Sequence, residues 1–159
     1  MSRVWVVPAL VLLLVLAAGG AVWTGIRVHD VRSSRSLDSQ ALQAGRTAAT
    51  DFTSYDYTHL GRDLDRVTAM STGSFRTQFT KALGALTAAI KQAKGVSVGT
   101  IAYAGLTRRV GDNAVVVAAV DATITNSSTT APSIRRYRLQ ITLDHSSGSW
   151  LISDIAPVS

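Results

Sequence analysis

Residues Ile134–Asp144 read IRRYRLQITLD. Tyr137, Leu139, Ile141 and Leu143 fall on one side of an extended chain, and Arg136, Arg138, Gln140 and Thr142 on the other, because side chains in a strand alternate with a period of two. That pattern predicts a strand with one face on a core and one face toward water. Just upstream, Ala114–Thr125 reads AVVVAAVDATIT. Its Ala114, Val116, Ala118, Val120, Ala122 and Ile124 set is uniformly apolar and is the expected core face. The alternate set carries Val115, Val117, Ala119 and Asp121. Gly111-Asp112-Asn113 is a turn signal between this strand and an earlier one, Ser97–Arg108. Asn126–Pro132 is a polar loop, and Ser146–Ser149 a turn before a last strand, Trp150–Ile155. Four strands in series with short connections predict an antiparallel meander.

Upstream of Val96 the apolar period is 3.6 instead. Leu37, Ala41, Ala44, Ala48, Phe52 and Tyr55 form one stripe, with Ser36 or Asp38 placed to cap the helix. A break around Tyr57–Gly61 leads to a shorter helix, Arg62–Met70, with Leu64, Val67 and Met70 at spacing three. Gly73 is expected to stop it. A third helix carries Phe75, Phe79, Leu83, Leu86, Ile90 and Ala93 and ends at Gly95, with Lys91 and Lys94 complementing its dipole. Three helices followed by a four-stranded antiparallel sheet give an α+β layer fold, the helices on one sheet face.

Further upstream, Val4–Ile26 runs twenty-three residues without Asp, Glu, Lys, Arg or His. As a helix it would reach roughly 34 Å, enough to cross a bilayer core. Trp5 and Trp23 near its ends suit the two interfaces. The run exceeds the usual apolar region of a cleaved signal peptide, so an uncleaved transmembrane helix is expected. The chain then divides into a short tail 1–3, the helix 4–26, a basic linker 27–35 and a domain 36–159. Arg27, Arg32 and Arg35 outnumber Arg3 on the other flank, which by itself favours a cytoplasmic domain. Long domains translocate largely regardless of that count, so charge leaves the side open.

The chain has no Cys, which removes disulfides, thiolate metal sites and Cys nucleophiles. Net charge is +6, but the domain from Ser36 onward carries only half of it, and no nucleic-acid module is present. His29, His59 and His145 are expected beside the membrane or in loops, and none accompanies a nucleophile motif. Asp63 and Asp65 point to different sides of a helix, so no metal constellation is visible. Asp121 is read as an exposed or partner-facing carboxylate; the alternative is a pocket acid. Arg108, Arg109, Arg136 and Arg138, with Arg135 beside them, form a candidate positive surface. It suits a lipid phosphate or an acidic partner, and equally the solvated face of a half-covered sheet.

The order of local sequences resembles one family. It comprises Phe52-Thr53-Ser54-Tyr55-Asp56-Tyr57, Thr72-Gly73-Ser74-Phe75, Val120-Asp121-Ala122-Thr123-Ile124-Thr125-Asn126, and a closing Gly148-Ser149-Trp150-Leu151-Ile152-Ser153-Asp154-Ile155-Ala156-Pro157-Val158. This is similar to the Mce-associated membrane proteins of mycobacteria and related actinobacteria. The resemblance implies a nuclear-transport-factor-2-like domain with a curved sheet, like the extracytoplasmic domain of the type IV secretion scaffold. It also implies a single-pass protein of the cytoplasmic membrane with that domain outside. The implied role is a non-enzymatic accessory subunit, without cofactor, catalytic residues or metal. It would contact the bilayer and the subunits of an Mce transporter of lipids or sterols. A domain binding the lipid or sterol directly, a secretion-like scaffold, and a steroid-isomerase-like enzyme are the alternatives.

Overall fold

The computed structural model describes residues 34–128 and 131–158. The Val4–Ile26 run and most of the linker lie outside them. Among the described residues no helix is long and apolar enough to cross a membrane. The chain divides into two compact units, Met1–Leu37 and Asp38–Ser159, and the second holds the elements that follow, the first helix from Asp38 onward.

The first helix, α1, covers residues 34–53, so Ser36 and Asp38 lie within it rather than capping it. Its buried line is Ala41, Gly45, Ala48, Ala49 and Thr53, rotated slightly from the expected stripe. Gly45 explains the rotation. A Cβ there would stand 2.7 Å from Cβ, Cγ1 and Cγ2 of Val116, so the helix backbone rests directly on the sheet. The helix ends at Thr53, whose hydroxyl donates back to the Ala49 carbonyl at 2.7 Å. Tyr55, placed by its spacing on the helical stripe, instead begins a two-residue strand, β1 (Tyr55–Asp56).

Helix α2 is Leu60–Ala69, and α3 is Gly73–Ala93. Gly73 does not stop α2. It is the first residue of α3, at φ +56°, after Thr72. The link between them is stitched to the sheet: Ile152 N–H donates to Met70 O at 2.7 Å, and Thr72 N–H to Ile152 O at 2.8 Å. At its C-terminus α3 turns through Lys94, at φ 48°, so the left-handed cap position falls on Lys94 and not on Gly95. Gly95 serves packing instead, since a Cβ there would touch the Tyr55 ring at 3.4 Å.

The sheet corrects the expected architecture. It has five strands, not four, in the order β1-β2-β3-β4-β5, with every neighbouring pair antiparallel. The added strand is β1, which pairs Tyr55 with Ser97 and Asp56 with Val96. The others are β2 (Val96–Val110), β3 (Asn113–Thr125), β4 (Ser133–Ser146) and β5 (Ser149–Pro157). As the alternation predicts, Ala114, Val116, Ala118, Val120 and Ala122 of β3 are buried, with Leu139, Ile141 and Leu143 of β4 and Ile152 of β5. His145 lies within β4 and not in a loop; its ring lies 4.9 Å from that of Trp150. The opposite face of the sheet is covered by none of the described elements.

Candidate functional site

That open face is where the sequence-derived surface residues come together, and where they separate. The β3–β4 register pairs Asp121 with Arg136 and Ala119 with Arg138. Arg136 and Arg138 are two apart on β4 and share a face. Arg136 Nε meets Asp121 Oδ1 at 3.7 Å, an exposed pair with the two side chains 83% and 50% accessible. Such a pair contributes at most about 1 kcal/mol. Asp121 is therefore a half-exposed partner of an arginine, not an enclosed acid.

Arg108 lies on the same face, opposite Val115. Four residues of β3 separate Val115 from Ala119, so Arg108 stands roughly 13 Å along the strand direction from Arg138. Arg109, its neighbour in sequence, points the other way. It pairs with Ala114 in the ladder, its side chain is only 17% accessible, and it forms an ion pair with Asp38 of α1. Arg109 is thus a tie between helix and sheet and leaves the proposed surface. Arg135 also lies off this face: it sits opposite Ala122, close enough to Tyr55 to act on its phenol.

Sequence reasoning missed Tyr103. Counting by twos from buried Ser97 places Tyr103 in the core. A bulge at Ala102 shifts the register, so Ile101 sits opposite Val120 and Tyr103 opposite Ala119. Tyr103 is therefore 65% exposed on the open face, and its ring lies across Gly105, where a Cβ would meet the phenol oxygen at 2.9 Å. Seven large hydrophobics are exposed among the described residues, and Val98, Tyr103, Val110, Ile134 and Val158 all belong to this face. Two adjoining hollows run along it and share Ala119, Arg138, Leu139 and Val158. One, of about 240 Å³, reaches Tyr103 and Val117; the other, of about 640 Å³, reaches Asp121 and Arg136. The face combines an apolar floor with Arg136 and Arg138 at one end and Arg108 beyond the other. Contiguous exposed apolar surface of this kind marks an interaction site more often than scattered single residues do.

Two ionisable groups near the helix–sheet junction are perturbed. Burial, with Tyr137 nearby, raises the Tyr55 phenol above its ordinary value. The Thr58 hydroxyl, with the Thr58 N–H, lowers the Asp56 carboxyl by bonding to its charged form. Asp63 is buried and accepts the Asp56 N–H at 2.9 Å while meeting Arg66 at 3.1 Å, a clasp between β1 and α2. Among the described residues no group of three or more metal-ligating side chains converges.

Along residues 1–159 the chain matches the family model described as uncharacterized protein Rv1363c/MT1408-like. It belongs to that family. The Mycobacterium tuberculosis protein named outer membrane protein Rv1973 is 31% identical to it over 152 residues, covering 95% of this chain and 92% of that one. Rv1363c of the same organism is 28% identical over 139 residues, covering 87% of this chain and 52% of its own length, so the chain spans about half of that relative. Among solved structures, the periplasmic domain of DotI superposes with a TM-score of 0.60 at 17% identity, covering 76% of this chain and 94% of that domain. CagV of Helicobacter pylori, a VirB8 homolog of type IV secretion, gives 0.59 at 15%, covering 76% and 98%. The domain of this chain therefore shares the fold of these two structures.

Proposed function

We propose that this chain is a membrane-associated, extracytoplasmic accessory protein that acts by protein–protein contact and carries out no catalysis. The observation that carries the reading is the open sheet face. An apolar floor around Tyr103, Val117, Ala119 and Val158, ended by Arg136 and Arg138, is left uncovered on a domain whose other sheet face packs against helices. Such a surface suits a docking partner with an apolar ridge and an acidic end. The half-exposed Asp121, already facing Arg136, lacks the enclosed setting a steroid-isomerase-like acid–base site would need. Extracytoplasmic placement is supported by the name of one relative, an outer membrane protein, and by the periplasmic origin of the domains that share the fold.

The finer reading is that the partner is a subunit of an Mce-type transporter of lipids or sterols, which this chain stabilises or assembles. It is supported by the ordered local sequences from Phe52 to Val158 that resemble the Mce-associated membrane proteins. Deleting the gene is expected to lower the steady-state level of an Mce subunit and to slow lipid uptake. Restoring the natural chain is expected to recover both. An unchanged subunit level with intact uptake would overturn the transporter role.

A further inference from the structure

On the helix side of the sheet a separate cavity of about 260 Å³ opens between α1, β1, α2 and α3. Its apolar lining is Phe52, Leu64, Val67, Phe79, Leu86 and Ile90. All three phenylalanines of the chain gather at one side of it: Phe52 lies 6.5 Å from both Phe75 and Phe79, and those two stack at 5.9 Å. Helix α3 spans 21 residues, yet Ile90 is its one buried residue. Its Phe79, Leu83 and Leu86 are only partly covered although they pack against the core cluster of Leu60, Leu64 and Ile90. The layer is thus apolar and incompletely filled, unlike a close-packed interior.

The polar groups at this cavity select the ligand. Its polar lining residues are Asp51, Ser54, Tyr55 and Asp63, and no Lys or Arg belongs to it. Asp63 Oδ2 accepts the Asp56 N–H, and Arg66, outside the lining, holds Asp63 at 3.1 Å and Asp51 at 3.5 Å. Both acids are thereby fixed beside the apolar space as hydrogen-bond acceptors. A hydroxyl can donate to them, whereas an anionic head would meet like charge in a partly dry site. Volume sets the body of the ligand. An apolar cavity of about 150 Å³ holds benzene, so this one suits about ten non-hydrogen atoms, well short of a sterol.

We propose that this cavity binds a neutral single-chain alcohol of medium length, its alkyl tail among Phe79, Leu86 and Ile90 and its hydroxyl toward Asp51 and Asp63. The site is separate from the open sheet face, and its occupancy does not depend on the docking role. The test uses the full chain in lipid nanodiscs and a medium-chain alcohol bearing a diazirine at its tail, photolysed and mapped by mass spectrometry. Saturable labelling is expected on the peptides holding Phe79 and Leu86. Octan-1-ol should compete, and octanoate should do so about tenfold less well, a difference of about 1.4 kcal/mol. Leu86→Trp fills the space and should cut labelling about tenfold with unchanged circular dichroism. Should that variant unfold, the contrast between alcohol and acid on the natural chain decides by itself. Labelling that does not saturate, that is no denser on these peptides than elsewhere, or that octanoate blocks as well as octanol, would overturn the proposal.

Discussion

At Gly45 two effects of one methyl group oppose each other. Alanine is a better helix former than glycine by about 1 kcal/mol. Against that, the added carbon would stand 2.7 Å from three carbons of Val116, which is fully buried and has nowhere to go. Overpacking of this kind costs about 1–3 kcal/mol, so Gly45→Ala is expected to lower stability despite its propensity. Combining it with Val116→Ala removes two of the three close contacts, those to Cγ1 and Cγ2, and leaves the one to Cβ, so a double-mutant cycle in urea should show a favourable coupling of about 1 kcal/mol. Independent, additive effects would mean that α1 does not rest on β3 at this point. Asp56 gives a second residue-scale expectation. Its folded-state carboxyl lies below the ordinary 3.8, chiefly through the Thr58 hydroxyl. A lowered acid contributes stability that is present above its unfolded value and is lost as pH falls through the folded one, that is, below about pH 4. Thr58→Val removes the hydroxyl and keeps the N–H, so the Asp56 carboxyl should titrate higher by carbon-13 NMR, and the stability that Asp56 loses on acidification below about pH 4 should be smaller. An unmoved titration would mean that the backbone N–H alone holds the charge.

Elements show where sequence patterns carry the fold and where they fail. The four long strands were legible because each runs nine residues or more, with clean alternation in β3 and the core half of β4, and Gly111-Asp112-Asn113 marks a hairpin with no competing reading. The two-residue β1 is too short to show any period, and Tyr55 continued the helical spacing from Phe52. Only the tertiary pairing of Tyr55 and Asp56 with Ser97 and Val96 makes it a strand. Register was the other blind spot. The bulge at Ala102 leaves no local composition signal, yet it decides that Tyr103 faces out. Arg108 and Arg109, as neighbours in a strand, had to face opposite sides, and a second register shift, between Leu106 and Arg108, cancels the first and turns Arg108 outward. Helix ends are a milder case. A glycine at position 95 predicted the left-handed cap there, and the chain places it one residue earlier, on Lys94 at φ 48°. A side chain in that conformation costs about 1 kcal/mol relative to glycine. Lys94→Gly is therefore expected to raise stability by about that amount, a melting temperature gain of about 4 °C for a domain of this size. A loss would show that the Lys94 side chain contributes contacts that outweigh its backbone strain.

On the scale of the whole molecule, the two arginine groups separate structure from docking. Arg109 ties α1 to β2 through Asp38, whereas Arg136 and Arg138 stand on the open face with no buried partner among the described residues. Arg109→Ala should lower the melting temperature by a few degrees, since it breaks a partly buried ion pair worth about 1 kcal/mol, and should leave partner capture intact. Arg136→Glu combined with Arg138→Glu should do the reverse. Exposed charges on a sheet face contribute little to folding, so the melting temperature should hold within about 1–2 °C. Reversing two cations beside a desolvated apolar floor places like charge against an acidic partner, a change that costs several kcal/mol at an interface and should abolish co-purification from native membranes. Tyr103→Ser adds a charge-free control. Most of its ring is exposed in the free chain, so removing it should weaken capture without unfolding the domain. The pattern that contradicts the docking surface is full capture by the double glutamate variant and by Tyr103→Ser, with loss only when Arg109 is replaced. The partner would then engage the α1 side of the domain, and the exposed sheet would be solvated surface.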